Sequence, residues 1–191
     1  YGDILDVGYN SFSFSVWVNM KTLNASWQQE IISKGYTGGG IPSDNGFKLD
    51  VIANTDYFRM AIATGPTQQY SIISSPILIN TWYYLSVVVD RNNNIMSLYV
   101  NGMLNSSINL TSFGSVSNNG HLHAGNQYWS NTGQNAAVLD GLISEFSFWN
   151  TILSQQEIQN NMNCPPSGNE AGLVGYWNFE EGQGPTALDL S

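Results

Sequence analysis

Charge is scarce in this 191-residue chain, and basic charge most of all: five lysines and arginines stand against fourteen aspartates and glutamates, giving a net charge of −9 and a pI near 4.2. The five cations, Lys21, Lys34, Lys48, Arg59 and Arg91, are scattered along the sequence. Nucleic acids are held by clustered lysine and arginine that displace counterions, so no nucleic-acid partner is expected, and anionic membranes are disfavoured for the same reason. Cysteine occurs once, at Cys164, so no disulfide can form within the chain; the thiol is either free or paired with a segment outside it. No apolar run reaches the ~18 residues a membrane-spanning helix needs, so no membrane insertion is expected. No signal peptide is expected within these residues either, because Tyr1 opens almost directly onto a strand pattern. Residues 1–191 are therefore expected to form one domain excised from a longer protein, with the targeting segment and neighbouring domains elsewhere. The charged fraction of 10% falls well under the usual ~25%, which leaves Asn, Ser, Thr, Gln and Gly to make the polar surface. Such a surface suits work outside the cell on neutral polar ligands.

What is present is a strand-rich pattern. Apolar residues make up 42% of the chain and aromatics 13%, enough for a sizeable core. Residues 10–18 (NSFSFSVWV) alternate, with Phe12, Phe14, Val16 and Val18 on one face and Trp17 on the other. GFKLDVI (46–52) sets Phe47, Leu49 and Val51 against Lys48 and Asp50, and YFRMAIA (57–63) follows it. WYYLSVVVD (82–90) is a near-continuous apolar strand, as in the centre of a sheet, and IMSLYV (95–100) returns after a turn at Asn92–Asn94. Asn101-Gly102 is a strong hairpin signal, since a type I′ turn needs positive φ at both central residues. LISEFSFW (142–149) and LVGYWNF (173–179) add further strands. One helix is expected near 154–162, where Ser154 and Glu157 make a capping box and Pro165-Pro166 ends it. The expected class is all-β, an antiparallel two-sheet sandwich carrying one short helix.

The order of these motifs carries a resemblance. ILDVG (4–8), SFSVWV (13–18), IISKG (31–35), NTWYYLSVVVD (80–90), SLYVNG (97–102), DGLISEFSFWNTILSQQEI (140–158) and GLVGYWNFEEGQG (172–184) cover nearly the whole chain. Together they resemble the laminin-G-like jelly-roll domains of the concanavalin A-like lectin/glucanase superfamily, in their bacterial multidomain form. Pentraxins are similar in plan, with a short helix after an FWNTILS-like strand and a closing strand that carries Trp. The resemblance implies a jelly roll and a range of activities, from lectins, adhesion modules and carbohydrate-binding appendages to glycosidases, so the site must decide.

Glycosidases of this kind need two carboxylates close together, about 5–5.5 Å apart in retaining enzymes. Glu30, Asp50, Asp56, Asp90 and Glu145 stand alone in the sequence, and Glu180-Glu181 would point to opposite faces of a strand, so no catalytic residues are expected. The pentraxin resemblance implies calcium donors at Asp44 and Asn45 of SDNG, with Gln127 and backbone carbonyls completing the shell; the alternative is that SDNG is only a turn. A second superfamily calcium site would use an aspartate where Ser144 stands, leaving Asp140 or Asp3 as substitutes. His121 and His123 share a strand face but show no third ligand for zinc. Trp17, Trp82, Trp149 and Trp177 lie within strand motifs and are expected to pack on the sheets. Asn126, Gln127, Tyr128 and Trp129 differ, because they lie in the amide-rich loop GNQYWSNTGQN (125–135), outside any periodic strand. An indole beside amides offers a sugar both stacking and hydrogen bonds, with Trp27 as a second such position; the alternative is that Trp129 folds back as a lid. The reading is a noncatalytic carbohydrate- or surface-recognition module of a secreted or cell-surface protein, with a glycan or cell-surface polysaccharide as partner. Two alternatives stay open: a structural adhesion spacer, and an accessory domain of a polysaccharide-degrading enzyme.

Overall fold

The computed structural model describes residues 5–35, 45–65, 68–111, 113–129 and 134–191, with side chains described outside 127–136. In chain order the elements are β1 (Phe12–Met20), β2 (Gln29–Lys34), β3 (Gly46–Val51), β4 (Phe58–Ala63), β5 (Gln69–Ile73), β6 (Trp82–Asp90) and β7 (Ile95–Val100). There follow β8 (Met103–Asn109), β9 (Leu122–Ala124), β10 (Gln127–Trp129), β11 (Gln134–Ala136), β12 (Gly141–Trp149), α1 (Gln155–Asn163) and β13 (Leu173–Trp177). Six strands form one sheet in the order β13-β12-β1-β6-β7-β8, five form the other in the order β5-β4-β3-β2-β9, and β10-β11 is a separate hairpin. The strand ladders are antiparallel. This is the antiparallel sandwich that the alternation foretold and the jelly roll that the resemblance implied.

Both sheets turn their apolar positions toward one core. Phe12, Phe14, Val16 and Val18 of β1 are fully buried and meet Phe47, Leu49 and Val51 of β3. The Phe12 and Phe47 rings lie 5.3 Å apart and the Phe14 and Phe47 rings 5.5 Å, distances at which aromatic pairs gain beyond area burial. Across the outer face of the six-stranded sheet, Trp149, Leu153, Val88 and Tyr84 cluster around Ile158 of α1. The capping box is formed: the Ser154 hydroxyl accepts from the Glu157 N–H, and the Glu157 carboxylate accepts from the Ser154 N–H at 2.7 Å. Asn101 and Gly102, at φ 51° and 74°, make the left-handed pair the β7-β8 hairpin requires.

Two expectations change. Trp82 does not pack in the sandwich; it opens β6 at its end and is 42% exposed. Residues 127–129 and 134–136 are not loop but the arms of a hairpin, with Gln127 opposite Ala136 and Trp129 opposite Gln134. Arms of three residues are too short to display a period, and that hid them.

β13 is the edge of the six-stranded sheet, paired with β12 so that Phe146 faces Trp177, their rings 5.6 Å apart. A Cβ on Gly175 would meet the Trp177 ring at 2.6 Å, so only glycine lets the indole lie along the strand. The final residues then run back along this edge: the Leu190 N–H donates to the Tyr176 carbonyl at 2.8 Å, and the Tyr176 N–H to the Asp189 carboxylate at 3.0 Å.

Candidate functional site

The site is built around the start of β2. The loop between β1 and β2 reaches β3-β4 through two turns laced together: the Asn24 N–H donates to the Thr55 carbonyl at 3.1 Å and the Asn54 N–H to the Ala25 carbonyl at 2.8 Å. Asn24 and Asn54 both adopt positive φ, 55° and 58°, a conformation asparagine tolerates better than most side chains. On this braced loop the Trp27 indole is 73% exposed. On one side of the loop, Lys21, Asn24 and Asp56 with Leu23, Leu78 and Ile79 line an open cleft of about 470 Å³.

On the other side lies a row of charge beneath the surface. Alternation turns Glu30, Lys48, Asp50 and Arg59 away from the apolar core, and register aligns Glu30 with Asp50 and Asp50 with Arg59 across β2, β3 and β4. The Asp50 carboxylate accepts two bonds from Arg59, at 2.9 and 2.5 Å, and lies 3.2 Å from the Lys48 ammonium. Lys48 also donates to the Gln28 side-chain carbonyl at 3.3 Å, which ties the row to the residue following Trp27. Glu30, Lys48 and Asp50 are nonetheless buried. Both Glu30 carboxyl oxygens lack a hydrogen-bond partner among the described residues. Burial pushes the Glu30 carboxyl up to about 8; Lys48 opposes that shift, Asp50 reinforces it, and Ser33 and Arg59 oppose it more weakly.

Glu30 and Asp50 stand apart in the sequence but are direct cross-strand partners, a pairing that local pattern could not show because register is non-local. Buried, with Asp50 engaged by two cations, they are not poised as acid and nucleophile at a glycosidic bond, which demands carboxyls that reach the substrate.

The hairpin β10-β11 springs from the same place. The Gly125 N–H donates to the Ile31 carbonyl, the Glu30 N–H to the Ala137 carbonyl, and the Leu139 N–H to the Gly125 carbonyl, each within 2.9 Å. The backbone of Gln127, Tyr128 and Trp129 therefore rises from the edge of β2 beside the charged row; their side chains lie outside the described residues, as do Asp3 and Asp44. Asn126, at the foot of the hairpin, is half-buried.

Asn45 is placed elsewhere, before the opposite end of β3, where its amide donates to the Ser117 carbonyl at 3.1 Å. Asp140 is exposed, its N–H donating to the Gln29 side-chain carbonyl at 2.8 Å. The length of the β2-β3 ladder, roughly 17–20 Å at ~3.3 Å per residue, separates the two, which are expected at different calcium sites. Among the described residues no three His, Cys, Asp or Glu side chains gather as a metal site. The described donors do not by themselves compose a calcium shell. His123 sits opposite Ser33 on β2, and burial, with His121 nearby, holds its imidazole below the ordinary value.

The sequence singled out Trp27, which the structure leaves exposed, but missed the charged row, although GFKLDV and FRMAIA already turn Lys48, Asp50 and Arg59 outward. The available signal was charge at three neighbouring outward positions of two adjacent strands.

A laminin-G-type family model, described as concanavalin A-like lectin/glucanases superfamily, matches residues 3–159. No curated protein matches the chain. Among solved structures, a Bacteroides ovatus protein provisionally described as carbohydrate binding superimposes with a TM-score of 0.72 at 20% identity, covering 95% of this chain and 50% of its own. The chain thus spans half the length of that protein. The CBM40 of a Ruminococcus gnavus sialidase, bound to α2,3 sialyllactose, matches with a TM-score of 0.63 at 19% identity, over 80% of this chain and 83% of its own. The binding domain of botulinum neurotoxin serotype G matches with a TM-score of 0.59 at 17% identity, over 84% and 37%. At these identities the likeness is one of fold.

Proposed function

Because the chain belongs to the concanavalin A-like lectin/glucanase superfamily, we propose that it is a noncatalytic carbohydrate-recognition module, presented by a secreted or cell-surface protein, that holds a glycan at the rim around Trp27. One observation carries the reading: an indole 73% exposed on a loop that two backbone hydrogen bonds fix to the neighbouring turn. An exposed ring on a braced backbone is a platform for the C–H face of a sugar, because the loop itself needs no ordering on binding. The adjoining cleft supplies Asn24, Asp56 and Lys21 for hydroxyls and Leu78 for apolar contact. The β10-β11 hairpin borders the same rim, and Asn126, Gln127, Tyr128 and Trp129 are proposed as its second wall. That similar folds include a CBM40 bound to sialyllactose supports the class of ligand.

A glycan array run with and without calcium tests this, using wild type, Trp27→Ala and Trp129→Ala. The expected outcome is retention of at least one glycan, weakened about tenfold by Trp27→Ala, the equivalent of ~1.4 kcal/mol, with the melting midpoint unchanged. Loss only in Trp129→Ala would move the platform to the hairpin. A need for calcium would bring in the proposed donors, Gln127 at this rim and, for a separate ion at the other end of β3, the Asp44-Asn45 pair. Unaltered retention in both variants would overturn the site, and no retention of any glycan would overturn the function in favour of a structural spacer.

A further inference from the structure

A second cleft, of about 330 Å³, opens at the opposite end of the sandwich, where the chain enters β1, the β6-β7 turn passes, and β12 leads into α1. Tyr9, Asn10, Asn92, Asn150 and Thr151 wall it, and Arg91 lines it. Tyr9 is 71% exposed. The Arg91 side chain is fixed in place: its Nε–H donates to the Tyr9 carbonyl at 3.3 Å, its Nη2 donates to the Gly114 carbonyl, and its guanidinium lies 4.8 Å from the centre of the Phe113 ring.

These contacts leave the cation uncompensated. A guanidinium carries five N–H donors in a rigid fork, and the contacts to Tyr9 and Gly114 use two of them. Among the described residues Arg91 forms no ion pair, although acidic residues outnumber basic ones almost three to one in the chain. Arg59, by contrast, spends its fork on Asp50. A planar, half-buried, immobilised guanidinium with free donors matches a carboxylate in geometry and charge. Asn10, Asn92, Asn150 and Thr151 line the same cleft, residue types that suit sugar hydroxyls, and the exposed Tyr9 ring suits a sugar's apolar face.

We propose that this cleft is a second saccharide site, distinct from the Trp27 rim, and that it takes an acidic sugar, with the carboxylate on Arg91, a ring face on Tyr9, and hydroxyls on Asn92 and Asn150. The cleft volume suits one sugar residue, at the small end of ligand pockets.

Backbone amide shifts of the isotope-labelled chain, titrated with sodium glucuronate, N-acetylneuraminic acid and glucose, test the assignment. Wild type is expected to show saturable shifts at Tyr9, Asn10, Arg91 and Asn92 with one or both acids, which tells a uronate from a sialic acid, and none with glucose at the same concentration. Arg91→Lys keeps the charge but loses the fork, and should weaken binding about tenfold or more. Tyr9→Ala should weaken it with an unchanged melting midpoint, and serves if the arginine variant folds poorly. Trp27→Ala should leave this titration unaltered, which separates the present site from the rim. Equal shifts with glucose, shifts confined to other regions, or wild-type affinity in Tyr9→Ala would overturn it.

Discussion

Glu30 is the residue whose surroundings cost most. Its carboxyl is buried against a row in which Asp50 already claims both Lys48 and Arg59, so ionisation would place a second negative charge in the same dry layer. The folded value of about 8 lies above the ordinary 4.5, so the native state holds a proton that the unfolded chain gives up. The linked contribution is therefore full below about pH 4.5 and is lost as the pH rises through about 8. Glu30→Gln keeps the shape without the titration. Its melting midpoint should match wild type at pH 5 and exceed it at pH 9, by an amount on the order of a few kcal/mol in stability. Melts across that range would show a wild-type decline that the variant lacks; equal slopes would assign the decline to other groups. Glu145, raised by burial and by Glu180, is more exposed and adds a smaller slope of the same sign. At this scale the sequence spoke unevenly. The outward placement of Lys48 and Asp50 was legible from a two-residue period, whereas the partnership of Asp50 with Glu30 depends on how separate strands align. The exposure of Trp82 was hidden for a related reason: an apolar run gives the strand but not which of its ends emerges from the sandwich.

Among elements, α1 and β13 show how local and non-local information divide. The helix was readable residue by residue, because cap, capping partner and Ile158 all lie within one turn and a half, and the structure keeps each. Ser154→Ala removes the acceptor for the Glu157 N–H and should lower stability by ~1 kcal/mol, visible as a drop of roughly 2–4 °C in the melting midpoint. A negligible shift would mean that packing of Ile158 and Leu153 alone fixes the helix. β13 was legible as a strand, and its role as a closing strand came from the resemblance, but its place beside β12 is a tertiary fact. Truncation after Cys164 removes the Trp177 ring from Phe146 and leaves the β12 edge bare. With ~1.5–3 kcal/mol for each large side chain uncovered, and a strand edge open to pairing, the shortened chain should aggregate or melt well below the parent. A soluble product with the parent's midpoint would show that β13 is dispensable. The β10-β11 hairpin marks the limit of this scale: its composition drew attention to it, its arms were too short to be read as strands, and its root beside Glu30 is a tertiary fact.

Across the whole molecule, scarcity of charge is accompanied by unequal placement. Of five cations, Lys48 and Arg59 are spent on Asp50, Lys34 is buried with its ammonium on the Gly120 carbonyl at 2.8 Å, and Lys21 lines the cleft beside Trp27. Arg91 alone lines the cleft at the other end. These two clefts among the described residues thus lie at opposite ends of the sandwich and each carries one cation. The chain's run back along β13 has a consequence of a different kind, in mechanics. Tension applied through Ser191 would first meet the Leu190–Tyr176 and Tyr176–Asp189 contacts, then β13 on β12, and only then the sheet interior. Bonds loaded in that sequence open one after another, as in a zipper, so the edge would yield slack at low load while the cleft beside Trp27 kept its shape; the Arg91 cleft, where the Asn150 N–H is bonded to the Gly172 carbonyl ahead of β13, would loosen with the edge.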